Sequence, residues 1–86
     1  LQIDPRSPYG LERRAALFFR TGQYDRALAD YAQALVVNPS SPVALYGRGL
    51  IKRIRGDTRG GDADIAAATA MRPGVAAQLA ARGVKP

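Results

Sequence analysis

The stretch Gly22-Gln-Tyr-Asp-Arg-Ala-Leu-Ala-Asp-Tyr-Ala-Gln-Ala-Leu-Val-Val-Asn-Pro39 decides the fold. Ala27, Leu28, Tyr31, Ala34 and Leu35 recur on one side of a 3.6-residue helix, giving an apolar stripe with polar residues opposite. Gly22 breaks the chain before this helix begins near Tyr24. Asn38-Pro39 ends it, because the proline ring disfavours helical geometry in the residue before it.

Outward from this stretch, the chain repeats itself at intervals of 34 residues. Pro5, Pro39 and Pro73 stand in that register, as do Pro8 and Pro42, Gly22 and Gly56, Asp30 and Asp64, and Ala34 and Ala68. Leu11, Leu45 and Leu79 share it, and so do Arg14, Arg48 and Arg82, each arginine followed by a small residue. So many coincidences in one register define a repeat of one supersecondary unit. Pro8 opens a first helix, where its missing N–H is harmless. Leu11, Ala15 and Phe18 follow at helical spacing up to Gly22. The second unit predicts helices near Pro42–Arg55 and Thr58–Met71, broken at Gly56-Asp57. A final helix is expected over Val75–Gly83, capping the second unit, and Leu1–Pro5 matches the end of a helix belonging to a preceding unit.

The expected architecture is all-α: an α-α superhelix, or solenoid, of two helix-turn-helix units plus a C-terminal capping helix. Its divisions fall at 1–7 (end of a preceding repeat), 8–41 (first repeat), 42–75 (second repeat) and 76–86 (capping helix and tail). Two units expose apolar stripes that stacking would bury, since arrays usually need about three for stability. The open N-terminal end is therefore expected to meet further repeats or a second copy of the chain.

Gly22, Tyr24, Ala27, Tyr31, Ala34 and Pro39 resemble the tetratricopeptide repeat (TPR) family. The resemblance implies that small residues let the helices of a unit cross closely, that aromatics fill the space between them, and that proline sets the turn. Gly56, Gly61, Ile65, Ala68 and Pro73 fit the same pattern in the second unit. Thr58 departs from it where an aromatic is preferred, and Asp62 stands where Leu28 is apolar.

The family likeness also implies that the first helix of each unit lines an inner, concave face that grips another polypeptide. It places Tyr9, Glu12, Ala16, Phe19 and Arg20 of the first unit there, with Val43, Tyr46, Leu50 and Arg53 of the second. Aromatic side chains with arginines are where binding energy concentrates. The alternative is that Phe19 and Leu50 pack between helices. The positions at which one TPR subtype clamps a chain-end carboxylate carry Glu12, Ala16, Gly47, Ala77 and Ala81, none a suitable donor.

The 86 residues include 13 Lys and Arg against 7 Asp and Glu, a formal charge of +6. Such a balance favours acidic partners. Arg48, Lys52 and Arg55 share a helix face with Arg59 beyond it, so a basic surface for nucleic acid or anionic membrane is a further alternative, beside self-association. Recurrence of Arg14, Arg48 and Arg82 argues instead that this arginine belongs to the architecture, as do Asp30 and Asp64. Arginine outnumbers lysine eleven to two and alanine is abundant, a usage that fits a GC-rich bacterial genome.

Enzymatic chemistry finds no foothold. With no cysteine or histidine, thiol, zinc-finger and imidazole chemistry are excluded. Ser7, Ser40 and Ser41 sit in inter-unit turns and read as helix caps. Asp62 and Asp64 point to different faces, and Gly60-Gly61 lacks the spacing and lysine of a phosphate loop. No cofactor or metal is expected, and no apolar run approaches the about 18 residues of a membrane helix. Either cytoplasm or periplasm would suit such a chain.

Overall fold

The computed structural model describes residues 7–86; the reading of Leu1–Pro5 as the end of a helix lies outside them. Five helices follow in order: α1 (Pro8–Arg20), α2 (Tyr24–Val37), α3 (Pro42–Ile54), α4 (Thr58–Met71) and α5 (Val75–Ala80). No strand occurs among the described residues, and the fold class is all-α.

The repeat is visible in how the helices start and stop. Ser7 and Ser41 cap α1 and α3: their hydroxyls accept the N–H of Gly10 and Ala44, each at 3.2 Å, ahead of a proline at the first helical position. α1 ends where Gly22 takes φ of +77°, and Gln23 N–H donates to Phe18 O at 2.8 Å while Gly22 N–H donates to Phe19 O at 3.1 Å. This double closure satisfies carbonyls that the helix end would orphan, and it favours glycine because its φ is positive. α3 ends the same way at Gly56, φ +96°, with Asp57 N–H on Lys52 O at 2.8 Å. α2 and α4 stop instead at Asn38 and Arg72, both extended and both followed by proline.

α1 packs along α2 and α3 along α4, with α2 against α3 joining the two pairs. Tyr31 is fully buried at the centre, among Ala15, Ala27, Ala34, Ala44 and Ile51. The alanines allow the close approach that the aromatic then fills. In the second pair glycine performs this role. A Cβ on Gly49 would stand 2.8 Å from Gly61 O, and one on Gly61 would stand 2.6 Å from Gly49 O, so the α3–α4 crossing leaves no room for a methyl on either side.

α5 is shorter than expected. The turn closes at Gly83, φ +83°, where Val84 N–H donates to Leu79 O and Gly83 N–H to Ala80 O, both at 3.0 Å. It is the same terminator as at Gly22 and Gly56, reached about two turns sooner. Helix α5 nevertheless packs on α3 and α4, and Val75, Leu79 and Val84 are buried.

Candidate functional site

The recurring arginine register resolves into two ion pairs and one exception. Arg14 Nε and Nη2 donate to the Asp30 carboxylate at 2.7 and 2.8 Å, joining α1 to α2. In the next unit Arg48 reaches Asp64 in the same two-pronged manner at 2.8 and 3.0 Å, and Lys52 adds a contact at 3.1 Å. Burial alone would raise the Asp64 carboxyl, but the bonds from Arg48 and Lys52 reverse this and hold it below the usual carboxylate range. Arg82 breaks the pattern. It lies beyond the end of α5, and its guanidinium carbon sits 6.0 Å from the Tyr9 ring centroid.

The basic stripe is largely neutralised within the chain. Arg48 and Lys52 share Asp64, and Arg55 pairs with Asp25 at the start of α2. Arg53 meets Asp62 at 3.5 Å. Of the four cations in the stripe, Arg59 alone has no carboxylate partner among the described residues.

The nine residues assigned to the inner face separate into two groups. Glu12, Ala16, Phe19, Val43, Tyr46 and Leu50 are buried, Leu50 to 2 % exposure, while Tyr9, Arg20 and Arg53 are exposed. The open aromatic groove of Tyr9, Phe19, Tyr46 and Leu50 is therefore corrected. Phe19 packs edge-on to Tyr24, with ring centroids 5.3 Å apart, and Tyr46 and Leu50 belong to the core. α5 and the turn after it account for this burial. α5 lies on α3, Val84 joins the same core, and Gly83 rests against the Arg20 stem.

An opening of about 330 Å³ remains at one end of this face, between the start of α1, the α2–α3 turn, and α5 with its flanking turns. Tyr9, 59 % exposed, stands at its rim, and Glu12, Ser41, Arg72, Gln78 and Arg82 line it. Glu12 is buried and accepts a very short hydrogen bond from the Ser41 hydroxyl. One serine thus caps α3 and ties it to α1. Burial pushes the Glu12 carboxyl above its usual range, against the lowering effects of Ser41, Arg82 and Arg72.

Arg72 donates to Gln78 Oε1 at 2.7 Å, and neither Arg72 nor Arg82 has a carboxylate within ion-pair distance among the described residues. The sequence reading missed Arg72 altogether and took Arg82 for an architectural residue. A signal did exist for the first: Arg72 stands before Pro73 as Asn38 stands before Pro39, and Asn38 also lines the opening.

Among the described residues no cluster of His, Cys, Asp or Glu suits a metal ion, and no helix is long and apolar enough to cross a membrane. No curated protein and no solved structure matches the chain significantly. Residues 15–52, covering the C-terminal part of α1, all of α2 and most of α3, match the family model described as TPR repeat. TPR repeats generally mediate protein–protein interaction and are typically non-enzymatic scaffolds. Paired antiparallel helices, capped alike at 34-residue intervals, accompany this match, and residues 15–52 carry a tetratricopeptide repeat.

Proposed function

We propose that the chain is a scaffold whose α1–α3–α5 face receives a segment of another polypeptide. The observation that carries this reading is the opening beside Tyr9: a concave site at the junction of both units and α5, with an exposed aromatic and two arginines that have no carboxylate partner among the described residues. Aromatic and arginine side chains in a partly enclosed site are the composition that anchors interfaces. Docking centres on Tyr9, Arg72 and Arg82. Arg20 and Arg53 lie on exposed edges of the inner helices and suit acidic flanks of the same segment.

A photo-crosslinking amino acid placed at Tyr9 tests this against one placed at Val36, which is 73 % exposed on α2. The reading expects a polypeptide adduct from Tyr9 and none from Val36. Equal labelling at both positions, or labelling at Val36 alone, contradicts it.

Self-association is a second reading, supported by exposed Leu17 beside part-exposed Phe18 on α1. Its extent is limited, because the guanidinium groups of Arg14 and Arg26 lie over the Phe18 ring at 5.7 and 5.9 Å. Sedimentation over a hundredfold range of concentration tests it, and a constant monomer mass rejects it. The pairing of Arg48, Lys52 and Arg55 with aspartates speaks against an anionic-surface role for that stripe.

A further inference from the structure

We propose that the opening beside Tyr9 binds the carboxylate of an aspartate or glutamate side chain carried within the partner segment, with Arg72 and Arg82 as its cationic ligands. This rests on the reading of the α1–α3–α5 face as the docking face, and it adds what that face selects.

Charge is the first argument. Asp25, Asp30, Asp62 and Asp64 are each engaged by arginine or lysine. Asp57 is taken by its helix, accepting Gly60 N–H at 2.9 Å. The opening holds two guanidinium groups, Arg72 and Arg82, against one carboxyl, Glu12. Among the described residues positive charge exceeds negative at the opening, and a carboxylate from outside complements it. Planar guanidinium groups are the donors best matched to carboxylate geometry.

The site is also disposed to tolerate its own glutamate. The Ser41 hydroxyl already donates to Glu12, and burial favours the protonated carboxyl, so an incoming acid meets less repulsion than the formal charges indicate.

The amide groups at the rim favour a passing segment over a free chain end. Asn38 Oδ1 accepts Ser40 N–H at 3.2 Å, and Gln78 Oε1 accepts from Arg72. Each oxygen already accepts one bond, and the two NH2 groups are left to donate to the carbonyls of a backbone crossing the site.

The test uses the full 86-residue chain on an array of random twelve-residue peptides, acetylated and amidated so that side chains supply the only carboxylates. A second array carries free C-terminal carboxylates. The proposal expects the capped array to return binders containing Asp or Glu. Exchange of that acid for Asn or Gln should weaken binding roughly tenfold or more, as loss of a charge-assisted bond implies. Arg72→Gln and Arg82→Gln should each produce a loss of that size for the acidic peptide and almost none for its amide counterpart. Arg72 is exposed, so its variant keeps the test sound even if Arg82→Gln disturbs the turn; circular dichroism monitors both. Capped binders indifferent to the acid overturn this proposal and leave the docking reading standing. Binding confined to free chain ends overturns the choice of a side chain. Failure of any peptide to bind overturns the docking reading, and this proposal with it.

Discussion

Arg14 holds Asp30 across the first helix pair through the same two guanidinium nitrogens with which Arg48 holds Asp64 across the second. The two clamps differ in depth. The Arg14 side chain is 42 % exposed and the Arg48 side chain 29 %, and Asp64 also takes Lys52. Asp64→Asn should therefore cost about 2 kcal/mol and Asp30→Asn about 1 kcal/mol, because bonds to charged groups weaken with exposure. Urea denaturation at pH 7 measures both. Asp64 has a depressed carboxyl in the folded state, so its contribution is present above the ordinary carboxylate range and is lost as pH falls through its folded value. The stability gap between wild type and Asp64→Asn should narrow in strong acid. A gap independent of pH would refute the assignment.

The Glu12–Ser41 contact has the opposite sign. Burial raises the Glu12 carboxyl, so folding favours its protonated form. That contribution is complete below the ordinary glutamate range and is lost as pH rises through the folded value. Glu12→Gln keeps an acceptor for Ser41 without the charge. It should match or exceed the wild type in melting temperature at pH 7 and lose that relative advantage near pH 4. Ser41→Ala removes both the cap and the partner of Glu12, and should cost about 1–3 kcal/mol at neutral pH. Thermal melts of the two variants across this pH range decide the matter.

Gly61 looks like a weakness in the sequence, since glycine inside a helix costs roughly 1 kcal/mol relative to alanine. The structure reverses the expected benefit of replacing it. A methyl on Gly61 would collide with Gly49 O, whereas Gly74 has open space around it. Gly61→Ala should destabilise by about 1–3 kcal/mol through overpacking, with Gly74→Ala within about 0.5 kcal/mol of wild type. Equal effects in chemical denaturation would show that the α3–α4 crossing is looser than described.

Tyr31 fills the core with its ring, yet its hydroxyl is buried without a hydrogen-bond partner among the described residues. Burial, with the charge of Glu12, also pushes that hydroxyl above its usual pKa, so it stays protonated. Tyr31→Phe keeps the ring and removes the unsatisfied group, and should stabilise the fold by about 1 kcal/mol. A loss of stability in the same denaturation assay would reveal a partner for that oxygen.

The period of 34 residues carried most of the fold. Register alone placed the two helix pairs, their serine caps and the glycine turns at Gly22 and Gly56, and it marked Arg14, Arg48, Asp30 and Asp64 as architecture. Register misled at Arg82, because α5 closes at Gly83 and takes that arginine out of the helix. The site was less legible for the same reason. Phe19, Tyr46 and Leu50 have the composition of a binding groove, but their exposure depends on where α5 and Val84 pack, a contact that periodicity does not encode. Glu12 was assigned to the inner face by the family likeness. It is buried and bonded to Ser41, 29 residues away, and that proximity in space was not written in the spacing.

The central claim is that a partner segment docks where α1, the α2–α3 turn and α5 meet. Amide chemical-shift mapping of the 15N-labelled chain, titrated with an acidic capped peptide selected on the array, tests it most directly. Shifts should concentrate at Tyr9, Ser41, Arg72, Gln78 and Arg82, and the Arg72→Gln variant should need roughly tenfold more peptide to reach them. Shifts centred on Leu17 and Phe18, or on Val36 and Val37, would contradict the account.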